Sequence, residues 1–415
     1  MQNVWGGISV RAAGVGLVML LLTASVSANS KVAEFSSQLR KAERKQFEAW
    51  YIAQIAHEEA MTTYWDKVEL LRKRRRQKRR DKIAFKDRDY VTTLPPAYQG
   101  PKLKTRLLQR WNAFQNKDKP VAAKPDELPS VADYLRSAKR HYNFVPERIP
   151  EREYKRRYAM EALSHGLTKD QVVRIFALET GGNGTADMQA GIHPTKKTGR
   201  PISSALGYAQ LLAANSINVI AKHGPKFVTR LQRIIKRERV PQRRKELQAK
   251  LASLQAMVRT AKSIPYKWSR QRALARTSLG MGLHPLNIDG LIGPWMQVVK
   301  LADIKELAER NGLTNLPGAE LELMNLAGPG TGLEMMKPVG RDKPTTNFFS
   351  RRGYYRNAIV RGRTSQELIV ALDERMDANL KKKGSQEFLA VFDEIIARRN
   401  GPVRPAALNA KPAGN

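Results

Sequence analysis

Apolar residues recur at helical spacing along most of this chain, and the alternating pattern of a strand is nearly absent. Val32, Phe35 and Leu39, for example, begin a stripe in a segment from Lys31 to Arg80 that is predicted as one long helix or a helix pair. The chain contains no cysteine, which excludes disulfides, thiol catalysis, cysteine-bound zinc and a lipoprotein anchor. The sequence therefore predicts a mainly α fold that core packing alone must stabilise.

The charge of the chain is strongly unbalanced. Its 415 residues include 74 Lys and Arg against 38 Asp and Glu, which gives a net charge of +36. Such a charge indicates anionic partners, namely nucleic acid, envelope polymers or a membrane surface. The densest run, Arg72 to Arg80, is either a solvated helix end or an electrostatic tether to envelope polymers or anionic lipid head groups.

The first 28 residues have the pattern of a secretory signal peptide. Arg11 precedes an apolar run at residues 12–26, and small residues up to Ala28 offer a cleavage point. The run is short for a membrane span, although an uncleaved inner-membrane anchor stays open as an alternative. The pattern predicts export to the periplasm or cell envelope, and this location argues against nucleic acid as the partner of the basic segments.

Breaks in the helical pattern divide the chain. Turn-rich segments occur at residues 94–101 and 117–129, and Pro150 begins a strong helix that ends near His165. The predicted organisation is a signal peptide (1–28), a basic N-terminal helical region (29–149), a central domain (150–358) with a basic helical insertion at about 226–263, C-terminal helices (359–400) and a disordered tail (401–415).

A short helix before residue 181 has clear sequence signals at both ends. Thr168 and Gln171 form a capping box at its start, and Gly181 and Gly182 stop it. These signals place Glu179 in the last turn of the helix.

Glu179 lies on the face that this helix would bury. Val172, Ile175 and Phe176 form an apolar stripe, and Glu179 continues it. Apolar surroundings and the negative end of the helix dipole both disfavour the ionised carboxylate. The position indicates a carboxylic acid that stays protonated near neutral pH, as a general acid must. The alternative is a solvated end residue whose side chain bends out to water.

Three separated segments, in this order and spacing, resemble the lytic transglycosylase family, whose lysozyme-like domain also includes goose-type lysozymes. The segments are Glu179-Thr180-Gly181-Gly182, Ala205 to Leu212 with its Gly-x-x-Gln pattern, and Glu320 to Gly332. An aromatic stretch from Asn347 to Tyr355 is similar to one that follows in some members. The resemblance covers about residues 151–357 and implies a lysozyme-like catalytic domain to which the basic helical segments are additions.

The resemblance implies peptidoglycan as the substrate and one catalytic carboxyl. Glu179 would protonate the departing glycosidic oxygen and then take a proton from the C6 hydroxyl, which leaves a 1,6-anhydro-N-acetylmuramic end. No cofactor and no metal is implied, and the scattered histidines contain no zinc motif. The candidate substrate-binding residues are Thr180, Gly207, Tyr208, Gln210, Asn325, Tyr354 and Tyr355.

One departure from the family pattern leaves the role of a residue open, and two other functions also stay open. The family's A-Y-N-A stretch aligns with Met324 to Ala327, so that Leu326 takes the position of the Asn and the role of Asn325 is open. Asp187 is the nearest second carboxylate in the sequence, and if it faced Glu179 a hydrolytic, lysozyme-like muramidase would result. A non-enzymatic envelope-binding protein that kept the fold is the third alternative.

Overall fold

The computed structural model describes residues 30–117 and 127–400. Helices make up 68% of the structure, and the described residues form isolated β-bridges but no strands, which confirms the predicted mainly α fold. The predicted signal peptide at 1–28 and the predicted tail at 401–415 lie outside the described residues. Nowhere in the described ranges does a helix combine the length and apolar character needed to cross a bilayer.

Contacts divide the chain into two compact units at residues 126/127, whereas the sequence analysis placed a boundary at 149/150. The difference arises from the helix Val131–Tyr142, which packs on elements of the second unit. The hydroxyl of Tyr142, for instance, donates to the carbonyl oxygen of Leu279 at 2.9 Å.

The first unit is built on one long helix. A helical segment at 30–37 precedes α1 (Lys41–Arg80), a 3₁₀ turn (Asp87–Asp89) follows it, and α2 (Thr105–Asn116) completes the unit. Of the two predicted arrangements for residues 31–80, the helix pair is therefore the one that forms. The buried core that joins these helices consists of Phe35, Leu39, Phe47, Leu107 and Trp111.

The second unit contains the remaining described helices. They are α3 (Val131–Tyr142), α4 (Glu151–Ser164), α5 (Lys169–Thr180), α6 (Ala213–Arg237), α7 (Pro241–Lys262), α8 (Trp268–Leu274), α9 (Ser278–Met281), α10 (Ile292–Glu309), α11 (Gly318–Ala327), α12 (Pro329–Met336), α13 (Pro338–Arg341), α14 (Arg351–Arg356), α15 (Ser365–Leu380) and α16 (Lys383–Asn400). The predicted hairpin at 226–263 is present as α6 and α7, and Pro241 begins its second arm. Its first arm already begins at Ala213 and continues through Pro225.

The packing of α5 explains where Glu179 lies. The predicted capping box is present, because the Thr168 hydroxyl accepts from the Gln171 N–H at 3.1 Å and Gln171 Oε1 accepts from the Thr168 N–H at 3.1 Å. Gly181 ends the helix at φ 65°, a conformation that glycine adopts without strain. Helix α5 contacts α11, α15 and α16, so the C-terminal helices belong to the second unit and enclose the helix that carries Glu179.

Elsewhere in this unit, a buried aspartate fixes the start of α10. Asp289 is 0% exposed, and its carboxylate accepts from the backbone N–H groups of Glu147, Leu291 and Ile292 at 2.8–3.0 Å. The ammonium of Lys250 donates to the same carboxylate at 2.8 Å. The charge of Asp289 is therefore fully compensated by donors that face it directly.

Candidate functional site

Glu179 faces a second glutamate, an asparagine and a lysine that come from two other helices. The amide nitrogen Nδ2 of Asn325 donates to Glu179 Oε1 at 3.3 Å and to Glu322 Oε2 at 3.1 Å. Lys300 Nζ, from α10, donates to Asn325 Oδ1 at 2.5 Å. We call these four residues the proton-sharing cluster: Glu179, Lys300, Glu322 and Asn325.

The two carboxyl groups of the cluster differ in their access to solvent. Glu322 is 1% exposed, whereas Glu179 keeps part of its surface accessible. Asn325 and Lys300 are also partly accessible. An incoming ligand could therefore reach Glu179 directly, whereas Glu322 can act only through Glu179 or Asn325.

Burial and mutual repulsion change the protonation of both carboxyls. Burial, followed by the negative charge of Glu179, raises the pKa of Glu322 well above its usual value. Burial also raises the pKa of Glu179, although a hydrogen bond with Glu322 and the charges of Lys300 and Arg375 oppose the rise. Burial lowers the pKa of Lys300, against the pull of the two glutamates.

These opposing effects favour one proton shared by the two carboxyls. Two adjacent carboxylates that cannot both be solvated titrate as a pair and keep one proton to a higher pH than an isolated glutamate does. With Lys300 charged, one ionised carboxyl leaves the cluster neutral overall. The arrangement can thus deliver a proton from Glu179 and take one back, which is general acid and general base chemistry.

The turn after α11 holds Glu322 and Asn325 in place. The two residues are three positions apart and share one face of the helix. Gly328, at φ 87°, ends the helix and starts α12, so the glycine-rich segment of the sequence is a turn between two helices. A β-carbon at Gly332 would lie 2.5 Å from the backbone of Met324, which requires α12 to pack directly on α11.

The Gly-x-x-Gln segment forms a tight turn whose polar groups bond mostly to itself. Gly207 has φ 82°, and a β-carbon there would lie 2.5 Å from the amide nitrogen of Gln297. Gln210, at φ 41°, donates from Nε2 to the carbonyl oxygens of Gly207 at 2.7 Å and Met188 at 3.2 Å. The predicted ligand contacts of Gly207 and Gln210 stay predictions, because in this structure these residues stabilise their own turn.

The structure revises the interpretation of Tyr208. Its ring is 1% exposed and packs edge-on against Phe176 and Tyr154, with centroids 4.8 and 5.1 Å away. Its hydroxyl donates to Glu151 Oε2 at 2.6 Å. Tyr208 therefore cannot stack on a ligand in this conformation, and it connects the loop to α4 and α5 instead.

Two further candidates also lie in the core. Thr180 is buried, and its hydroxyl donates to the carbonyl oxygen of Phe176 at 2.6 Å. Tyr354 is buried, and its hydroxyl accepts from the N–H of Gly362 at 2.9 Å. Tyr355 differs from them, since 40% of it is exposed and its ring remains accessible. Of the predicted ligand-binding residues, Asn325 is the one whose side chain donates a hydrogen bond to Glu179 among the described contacts.

Asp187 does not partner Glu179. Its carboxylate accepts from Arg148 at 2.6 Å, Lys197 at 2.9 Å and the hydroxyl of Thr185 at 2.7 Å. Although burial opposes ionisation, these partners lower the pKa of Asp187 to about 2. The second carboxyl of the site is Glu322, which sequence reasoning missed.

The sequence contained a signal for Glu322 but little for Lys300. Glu322 lies within the segment that pointed to Asn325, and its spacing of three residues places both on one helix face. Lys300 is flanked by Val299 and Leu301, both buried, in a mostly apolar helix. A lysine in such a helix usually extends its ammonium to solvent, so the sequence does not indicate the partner of Lys300.

Within residues 30–117 and 127–400, no group of three or more His, Asp or Glu side chains could hold a metal ion. Comparison of the chain with protein-family models, with curated proteins and with solved structures gives no match.

Proposed function

We propose that this protein is a peptidoglycan lytic transglycosylase that cleaves the β-1,4 bond between N-acetylmuramic acid and N-acetylglucosamine. The observation that carries the proposal is the pairing of a reachable glutamate, Glu179, with a buried one, Glu322, so that a proton is available at the accessible oxygen. The order of the sequence motifs and the mainly α fold agree with a lysozyme-like catalytic domain.

The difference in exposure supplies a way to load Glu179 with the proton. Before substrate binds, solvent around Glu179 favours the charge on this residue and the proton on Glu322. A glycan that covers Glu179 removes this solvent and makes a charge there more costly, so the proton moves to Glu179. The charge then falls on Glu322, where Asn325 donates to it and Lys300 stabilises it.

The reaction needs one acid that later acts as a base. Glu179 gives its proton to the glycosidic oxygen as the bond from this oxygen to C1 of the muramic residue breaks. The C6 hydroxyl of the same residue then bonds to C1, and its proton returns to Glu179. The products are a free hydroxyl on the leaving glucosamine and a 1,6-anhydro end, and no water is consumed.

A hydrolytic muramidase is the second candidate, since the cluster contains two carboxyls. Glycosidases that use two carboxyls place them on opposite sides of the scissile bond, about 5 Å or more apart. In this structure Glu322 is buried, and one amide nitrogen of Asn325 bonds to both carboxyls. This geometry suits a proton store for Glu179 better than a second group that faces the substrate.

The proposed setting is the cell envelope. The export signal predicted at residues 1–28 would deliver the chain to the periplasm, where peptidoglycan is the available glycan polymer. The basic helical segments would add affinity for anionic envelope polymers or lipid head groups, with nucleic acid disfavoured by the same location.

The test is digestion of purified peptidoglycan, with mass spectrometry of the released muropeptides. We expect anhydro ends from the unchanged chain and a loss of activity of about 10²–10⁴-fold in Glu179→Gln. Glu320→Gln is a matched control, because Glu320 lies on α11, its pKa is also raised by burial and its ion-pair partner is Arg341. This control should retain activity, as should Asp187→Asn.

Other outcomes distinguish the alternatives. Products heavier by one water, with reducing ends, would make the protein a hydrolase. Full activity in a folded Glu179→Gln chain would remove the enzymatic assignment of this residue. Retention on peptidoglycan without any cleavage would favour the non-enzymatic envelope-binding protein.

A further inference from the structure

The last turns of α1 present cations on two different sides. On the inner side, Arg75 is buried, donates to the carbonyl oxygen of Asp89 at 2.6 Å and lies over the ring of Tyr90 at 4.4 Å. Lys78 pairs with the Asp89 carboxylate at 2.6 Å. These inner cations hold the 3₁₀ turn at Asp87–Asp89 against the helix and are unavailable to an outside partner.

The outer side carries a second set of cations, which are exposed. We define the basic face of α1 as the exposed residues Leu70, Lys73, Arg74, Arg76 and Arg80 of its last turns, together with the exposed Ile83, which follows the end of the helix. Among the described residues, no carboxylate forms an ion pair with Lys73, Arg74 or Arg76. Residues 70–90 contain eleven Lys and Arg against three Asp, a net charge of +8.

Favourable interaction with the helix dipole does not account for this face. The dipole stabilises cations only within the last turn of a helix. Lys73 and Arg74 lie more than one turn before the end of α1 at Arg80. Clustered like charges repel each other, so the arrangement costs stability unless an anionic partner compensates it.

The uncharged members of the basic face discriminate between possible partners. Leu70 is 49% exposed and Ile83 54% exposed, and both are aliphatic. The neighbouring rings are already engaged within the unit, because Trp65 and Tyr90 are buried and the partly buried Phe85 packs edge-on against Tyr90 with Arg79 over its ring. None of them is therefore open on both sides for a nucleic-acid base to stack on. Aliphatic side chains among cations are what a protein inserts between lipid head groups. We propose that the basic face of α1 docks on the surface of an anionic lipid bilayer.

The experiment measures sedimentation of the full chain with vesicles of phosphatidylcholine alone and of equimolar phosphatidylcholine and phosphatidylglycerol. The apolar residues 12–26 are present in every variant, so differences between variants report on the substituted face. At about 0.1 M salt, we expect the triple variant Lys73→Gln, Arg74→Gln, Arg76→Gln to bind the anionic vesicles on the order of 100-fold more weakly, since each cation contributes about fivefold.

A matched triple variant removes the same charge from another basic helix end. Arg233, Lys236 and Arg237 are exposed near the end of α6, and their change to Gln should weaken binding by less than about fivefold. The double variant Leu70→Ser, Ile83→Ser should weaken vesicle binding several-fold and leave binding to a duplex DNA oligonucleotide unchanged. Circular dichroism checks that each variant is folded.

Three results would overturn the proposal. One is an equal loss of binding in the two triple variants, which would mean that total charge alone matters. Another is equal binding of the unchanged chain to neutral and anionic vesicles. The third is vesicle binding that does not change in the Leu70→Ser, Ile83→Ser variant, together with tighter binding of the unchanged chain to DNA than to anionic vesicles. This result would make the face a general polyanion-binding surface instead. None of these outcomes depends on whether the chain cleaves peptidoglycan.

Discussion

The second unit contains two clusters with the same ingredients, two carboxyls and one lysine, but with opposite electrostatics. The first is the proton-sharing cluster. The second, which we call the ion-paired cluster, consists of Glu147, Lys250 and Asp289, with Arg243 as an additional partner of Glu147. In the ion-paired cluster the ammonium of Lys250 contacts both carboxylates directly, at 2.8 and 2.9 Å.

The difference lies in what the lysine contacts. Burial opposes ionisation of Glu147, but hydrogen bonds from Arg243 and Lys250 outweigh it and lower the pKa of Glu147. In the proton-sharing cluster the hydrogen bond from Lys300 goes to the amide oxygen of Asn325, and the two carboxyls face each other. The same residue types thus give fixed charges at one site and a transferable proton at the other.

The largest expected contrast is in stability. Asp289→Asn weakens a buried ion pair and should lower the free energy of unfolding by about 3 kcal/mol, because Lys250 loses a partner that faces it. Glu322→Gln removes a carboxyl that repels its neighbour and should leave stability unchanged or raised. Chemical denaturation of both variants at neutral pH measures the two effects. Equal destabilisation by the two substitutions would mean that the charge of Glu322 is as fully compensated as that of Asp289, contrary to the contrast between the two clusters.

Activity should show the reverse contrast. Glu322→Gln removes the carboxyl with which Glu179 shares its proton, so the last proton leaves the site at lower pH. We expect activity near neutral pH to fall on the order of 10-fold. Activity on the acidic side of the pH profile should rise relative to activity at neutral pH. Glu147→Gln should leave the pH profile of the folded fraction unchanged. Cleavage rates from acidic to neutral pH test this, and an unchanged profile in Glu322→Gln would argue against proton sharing.

A smaller effect concerns the sign of the pH dependence of stability. The lowered pKa of Glu147 stabilises the fold above the unfolded value of 4.5, and this contribution is lost as pH falls through the folded pKa. The raised pKa of Glu322 contributes stability below 4.5 that is lost as pH rises through the folded pKa. The Tm of Glu147→Gln, relative to that of the unchanged chain, should therefore rise by roughly a few degrees as pH falls. The relative Tm of Glu322→Gln should rise by a similar amount as pH rises. Melting curves at several pH values measure this, and shifts of the same sign would contradict it.

Local patterns in the sequence predicted the parts of the site that one helix determines. The capping box, the glycine stop and the place of Glu179 on the buried stripe all follow from residues 168–182. Asn325 contacts Glu179 from 146 positions away, and no local pattern fixes such a pairing. The resemblance of motifs brought Asn325 into consideration, but not the lysine that bonds to it.

The contacts within the Gly-x-x-Gln segment that the sequence did not indicate have a common physical cause. Tyr208 stands in a motif that implied a ligand contact, yet a hydrogen bond to Glu151 and four neighbouring rings hold it in the core. Gly207 is required by the side chain of Gln297, which comes from α10. Contacts with distant segments determine the surroundings of both residues, whereas the periodicity of the sequence indicates only which face of a single helix is buried.

The close approach of α12 to α11 at Gly332 links chemistry to a residue that takes no part in it. A methyl group at this position would wedge the two helices apart by pressing on Met324, which lies between Glu322 and Asn325 on α11. The second carboxyl would then retreat from Glu179 while every ionisable group remained in the chain. The acidity of this site thus also depends on a glycine at the neighbouring contact between α11 and α12.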